Sequence, residues 1–200
     1  MKSGKKIMEV IRKHKVVTGL AVLLVLSVLT FVLIGKGGLD EQPKLYFKDA
    51  ELKRGKEVEI DVKLSNLKGE YPAASFEIVF DKNKMEFLEI RQGSMEIVNK
   101  NSGEIDIPEW QFSVEAANRN GSISTMFLDM TAGDNPLMQA KDKASDVLFR
   151  LVFRVKDSCS KGEKLQLTFK QATFAALDEK DSLAMYKNNI KIKRGSFKVN

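Results

Sequence analysis

The sequence predicts an all-β domain, two antiparallel sheets packed face to face, carried behind one membrane-crossing helix. Three observations predict it. A nineteen-residue apolar run without a charge lies near the start, hydrophobic residues alternate with a period of two beyond Leu45, and turn signals cut that remainder into eight or nine short strands. An alternating strand has one apolar face, and stacking two sheets is how such faces leave water together. The 200 residues, 43% hydrophobic and 30% charged, are enough for one sizeable core.

The apolar run is Val16 to Ile34, VVTGLAVLLVLSVLTFVLI. As a helix it is about 28 Å long, close to the ~30 Å hydrocarbon core of a bilayer. Thr18, Ser27 and Thr30 are too few to give it a polar face, as a buried core helix would have. Lys13, His14 and Lys15 precede it, whereas Asp40 and Glu41 soon follow, so the positive-inside bias puts the N-terminus in the cytoplasm and the rest outside the cell membrane. The competing reading is a cleaved signal peptide, whose apolar stretch is shorter and ends in an A-x-A-like site. The predicted organisation is therefore a basic cytoplasmic segment at 1–15, a single-pass signal anchor at 16–34, a linker at 35–44 and an extracellular domain at 45–200. Cys159 is the only cysteine, so the exported part has no internal disulfide; in KDSCSKG it reads as a small side chain near a turn.

In EVEIDVKLSNL, Val58, Ile60, Val62 and Leu64 share one face and Glu57, Glu59, Asp61 and Lys63 the other. Phe149, Leu151, Phe153 and Val155 alternate with Arg150, Val152 and Arg154, and Leu165, Leu167 and Phe169 repeat the pattern. Shorter runs occur at KLYF, SFEIVF, WQFSV, SISTMFLD, NIKIK and SFKV, separated by NLKGEYP, NRNG, AGDNP and SCSKGE. No convincing amphipathic helix and no repeat is visible among them. In SFEIVFDKNKMEFLEI, Phe76, Ile78 and Phe80 face inward, Asp81 to Lys84 make a turn with Asp81 as an Asx residue, and Met85, Leu88 and Ile90 return to the core. Ser75, Glu77 and Val79 face out. SISTMFLDM is apolar on both faces: Ile123 and Phe127 on one, Met126, Leu128 and Met130 on the other. The second set must be covered by a loop, left exposed or buried by a partner.

Charge excludes one large class of partner. Seven of the 33 basic residues and one of the 27 acidic residues lie in residues 1–36, which leaves 26 of each in the remainder. A neutral domain lacks the basic face that nucleic-acid binding requires. The single histidine, His14, precedes the apolar run, so the domain cannot build a Ser–His or Cys–His nucleophile or an ordinary zinc site. Phosphate loops are absent. No catalytic residue, metal ligand or cofactor is predicted. Glu86, Glu89, Asp129, Asp134, Asp178, Glu179 and Asp181 could supply a carboxylate pair, but solvated face residues explain them as well. LDEKDS at 177–182 lacks the alternate-acid pattern of a calcium loop and reads as a turn. Asn120-Gly121-Ser122 matches a glycosylation acceptor and equally a hairpin turn. Trp110, Tyr46, Tyr71 and Tyr186 could bind sugar only if several were exposed and coplanar; Trp110 in IPEWQFSV reads as core or sheet-edge packing.

FEIVFDKNKMEFLEIRQGS, GSISTMFLDMTAG, DVLFRLVFRVKDSCSKGEKLQLTFKQATFAALDEKD and the closing GSFKV resemble, in order and spacing, a cohesin domain over about residues 45–199. The resemblance implies a nine-stranded jelly-roll sandwich, similar in shape to carbohydrate-binding modules. It also implies a partner, the dockerin, a small calcium-binding module of secreted polysaccharide-degrading enzymes. It places partner contacts on outward residues of two strands, here Ala73, Ser75, Glu77, Val79, Ser124, Met126 and Leu128. Cohesins carry Asn and Asp where this chain has Ala73 and Ser75, and Pro where it has Lys82. The expected function is non-catalytic: a cell-surface module tethering dockerin-bearing proteins to the membrane. The alternatives are a carbohydrate-binding module taking polysaccharide, a carboxylate-pair enzyme and a structural envelope protein without a dockerin partner.

Overall fold

The alternating runs become strands, and a computed structural model describes residues 42–131, 133–139 and 145–200. In chain order the strands are β1 (Lys44–Phe47), β2 (Glu57–Ser65), β3 (Ala73–Val79), β4 (Met85–Gln92), β5 (Glu96–Val98), β6 (Ile105–Asp106) and β7 (Gln111–Phe112). A short helix, α1 (Val114–Asn120), precedes β8 (Ser122–Leu128), β9 (Leu137–Met138), β10 (Ser145–Val155), β11 (Lys164–Ala175), β12 (Leu183–Ala184), β13 (Lys191–Lys193) and β14 (Gly195–Lys198). The fold is the expected all-β sandwich, but with fourteen described strands rather than nine. The strands without a counterpart in the sequence pattern, β5, β6, β9 and β12, are ladders of two or three residues, too short to imprint an alternating run. The predicted anchor at 16–34 lies outside the described residues; among those described, no helix is long and apolar enough to cross a membrane.

One sheet has the order β13-β1-β2-β10-β4 and the other β12-β11-β3-β8-β7, with β14 also paired to β11; β6-β5-β9 forms a small third sheet. Register explains the core. Val62, Ile60 and Val58 on β2 stand opposite Phe149, Leu151 and Phe153 on β10, and Phe76 and Ile78 on β3 stand opposite Thr125 and Ile123 on β8. Rings then bridge the two layers, Phe47 stacked on Phe169 at 4.6 Å and Phe76 against Phe149 at 5.7 Å.

Several local expectations are corrected. β4 sends Met85 and Phe87, not Leu88, into the core; a bulge opposite Val152 and Phe153 shifts the phase at Leu88, after which Ile90 packs inward again. Val152, expected outside, is buried. In register it lies between Glu59 and Glu89, and Arg91, paired with both carboxylates, lays its stem across that face. NRNG is neither loop nor hairpin: it ends α1, with Ser113 capping the N-terminus and Gly121, at φ 72°, closing the C-terminus. The Asx turn forms as expected, Asn83 N–H donating to Asp81 Oδ1 at 2.9 Å. Cys159 is a buried core member, its Sγ 3.3 Å from the Lys84 carbonyl oxygen, and burial pushes its thiol pKa up.

Candidate functional site

The two outer faces of the sandwich differ in kind. On the β2-β10-β4 face, Arg154 lies between Glu57 and Glu86, Arg91 bridges Glu59 and Glu89, and Arg150 pairs with Asp61. That face satisfies its own charges. On the β11-β3-β8-β7 face the β3 and β8 strands carry little charge, and the lysines lie on β11 and its neighbour β14. The outward residues of this face fall into rows across the strands: Ala175, Ala73 and Leu128; Thr173, Ser75, Met126 and Gln111; Gln171, Glu77 and Ser124; Thr168, Val79 and Ser122. All seven predicted contact residues are therefore brought together on one surface.

Inward neighbours hold that surface rigid. Ala74, Phe76, Ile78, Ile123, Thr125 and Phe127 are buried beneath it, so β3 and β8 have little freedom to move. Above them Met126 is 40%, Leu128 44% and Val79 38% exposed, and no loop among the described residues buries them. Ser75, Glu77, Ser124, Met126, Gln111, Phe112 and Gln171 rim a shallow depression of about 400 Å³. Glu77 is the single acid in these rows. Its Oε1 accepts from Lys170 Nζ at 2.9 Å and from Ser122 Oγ at 3.0 Å, and those bonds, Lys170 first, hold the carboxyl below the usual carboxylate range.

At the Leu128 end the surface is bounded by a knot around Asp129. Burial alone would raise this carboxyl, but the Thr131 hydroxyl and the backbone N–H groups of Thr131, Asn135 and Gly133 donate to it and bring it below its ordinary value. Asp129 N–H in turn donates to the Pro72 carbonyl oxygen at 2.7 Å, which ties the loop after β8 to the entry of β3. From sequence alone Asp129 is one of several spare carboxylates. The signal that marks it is the Asp-x-Thr-x-Gly-x-Asn spacing, whose short polar residues and glycine suit a side-chain-capped turn.

The other candidate chemistries are not assembled. Glu86 and Glu89 are in ion pairs, Asp178 caps the turn at Glu179–Asp181 and pairs with Lys180, and no group of acids able to hold a metal ion occurs among the described residues. Trp110 is buried against Phe76, Phe127 and Phe149. Tyr71 is buried as well, its hydroxyl donating to the Lys68 carbonyl oxygen at 2.5 Å, and desolvation, with the Asp181 carboxylate adding, pushes its pKa up to about 12. Tyr186 is exposed in a separate 3-10 turn at Met185–Lys187, and Tyr46 lies on the other sheet. These rings form no stacking platform for a sugar.

The geometry defines a class of protein: a rigid β-sandwich with one ion-paired face and one flat, uncovered face. The family model for the cohesin domain matches residues 43–193, and the chain belongs to that family. No curated protein matches. Among solved structures it is similar to the OlpC cohesin of Clostridium thermocellum in complex with Doc435, at 18% identity and TM-score 0.59 over 80% of this chain and 95% of that one. The sixth cohesin of Acetivibrio cellulolyticus scaffoldin B, in complex with a Cel5 dockerin, gives 23% and 0.57 over 79% and 99%. A non-cellulosomal cohesin of the archaeon Archaeoglobus fulgidus gives 17% and 0.53 over 80% and 91%.

Proposed function

We propose that this chain is a membrane-anchored cohesin that holds a dockerin-bearing protein at the cell surface and catalyses nothing itself. The observation that carries the reading is Met126 and Leu128, aliphatic, uncovered and rigidly backed, in register with Ser75 and Ala73 on the one face that does not satisfy itself. A pre-formed surface loses little conformational freedom on docking, and burying its apolar patch supplies affinity without chemistry. Solved relatives complexed with dockerins support the choice of partner, and Ala73 and Ser75 make this part of the face less polar than the Asn and Asp that the family resemblance implies there. Residues 16–34 would supply the anchor, with residues 1–15 inside the cell.

The test uses the full chain in detergent and the dockerin modules of its source organism, expressed one at a time and loaded with calcium. At least one should bind, and chelation should release it because the dockerin folds around calcium. Binding to none of them would overturn the reading. Alkaline carbonate washing of cell membranes tests the anchor: the chain should stay with the lipid, and release into the wash would show that it does not span.

A further inference from the structure

The docking face is polarised along β11, and the polarity specifies the partner's charge. At its Ala175 end the face is apolar, with Ala73, Leu128 and Met130 exposed or half-exposed. Beyond the Thr168 row the outward residues of β11 continue through Gln166 to Lys164, about 13 Å further along the strand. There Lys164 stands directly opposite Lys198 of β14. Like charges in direct cross-strand register destabilise a sheet. Elsewhere the protein offsets such contacts: Arg150 and Arg91 also stand opposite each other, but each has its own carboxylate. Among the described residues neither Lys164 nor Lys198 has an ion pair. The nearby acids are engaged, Glu163 with Lys84 and the Ser160 N–H, Glu77 with Lys170, and Asp81 in its turn.

We propose that the Lys164–Lys198 pair is the electrostatic half of the docking site, and that the partner is a protein module with an aliphatic patch at one end of its contact surface and a carboxylate cluster at the other. This rests on the docking reading above and deepens it. The aliphatic patch would cover Met126 and Leu128, and the carboxylates would relieve the lysine repulsion, so the module can sit in one orientation only. Edge protection is the competing explanation for lysines on a short strand.

The experiment takes the dockerin that binds the full chain and compares wild type with Lys164→Glu/Lys198→Glu and with the single variant Lys164→Glu. The single variant should melt higher than wild type, because it places opposite charges in register, yet associate more slowly. The double variant should lose on the order of tenfold in association rate at low salt and most of the salt dependence of binding, since rim charges act chiefly on encounter. A dockerin with its acidic cluster reversed to lysine should recover affinity for the double variant. Unchanged rate and salt dependence in both variants would overturn the proposal while leaving the docking reading intact. Self-association of the variants with unchanged dockerin binding would assign the lysines to edge protection. Loss of binding to phosphatidylglycerol vesicles alone would assign them to a lipid surface. If no dockerin binds wild type, the docking reading itself fails and this inference with it.

Discussion

Asp129 shows how much one side chain contributes at the margin of the site. Its carboxylate is the shared acceptor of four donors in a seven-residue loop, so removing it leaves several partly buried N–H groups without a partner. Asp129→Ala should cost about 1–3 kcal/mol of stability in urea unfolding. Because its folded pKa lies below the unfolded value of about 3.9, the stability it supplies is present above that value and is lost as pH falls through the folded pKa. Asp129→Asn should therefore unfold more readily at neutral pH and show a flatter acid limb than wild type. Met126 and Leu128 behave in the opposite way. They pack against solvent, so Met126→Asp or Leu128→Asp should leave the melting temperature within a few degrees of wild type while costing about 2 kcal/mol or more in dockerin binding by titration calorimetry.

Where strands meet bulges, the elements decide which residues share a face. β10 steps out of register with β2 between Val147 and Phe149, and the Val147 carbonyl oxygen turns toward the Gly93–Met95 corner, where it accepts from the N–H groups of Ser94 at 2.7 Å and Met95 at 3.2 Å. A side chain at Gly93 has no room: its Cβ would overlap the Val147 carbonyl oxygen and lie 2.7 Å from the Leu148 carbonyl carbon. Both obstacles are backbone and cannot rotate away. Gly93→Ala should destabilise by roughly 2–4 kcal/mol, read as a lowered urea midpoint, by displacing β10 from the core. By contrast Gly103, at φ 73° with open space around its missing Cβ, should accept Asn at little cost, since Asn tolerates the left-handed region. A bulge likewise explains why sequence alternation puts Leu88 in the core, whereas Val152 keeps its outward phase and is buried within the ion-paired face. A period-two reading carries the face forward unbroken, and a bulge resets it through hydrogen bonds to another strand.

At the scale of the whole molecule, the contrast between the two outer faces directs a partner to one side. Arginine and glutamate on β2, β4 and β10 pair across strands, whereas β3 and β8 present serine, alanine, methionine and leucine. The two sets should respond differently to salt: Glu57→Gln and Glu86→Gln should alter unfolding slightly and dockerin binding not at all, because exposed pairs contribute little and lie on the far side. Equal loss of binding from that face and from Met126 would contradict a single docking surface.

Period-two hydrophobicity by itself determined that the chain makes stacked sheets, because only the strand repeat puts every second side chain on one side. The same pattern identified Met126 and Leu128 as apolar groups that could not enter the core alongside Ile123 and Phe127. Whether a loop would cover them was beyond its reach, as was the capped helix at NRNG, the phase shift at Leu88 and the pairing of Lys164 with Lys198. Each depends on which distant segment lies alongside, and a side chain's chemistry gives no account of its neighbour across a sheet until the chain has closed on itself.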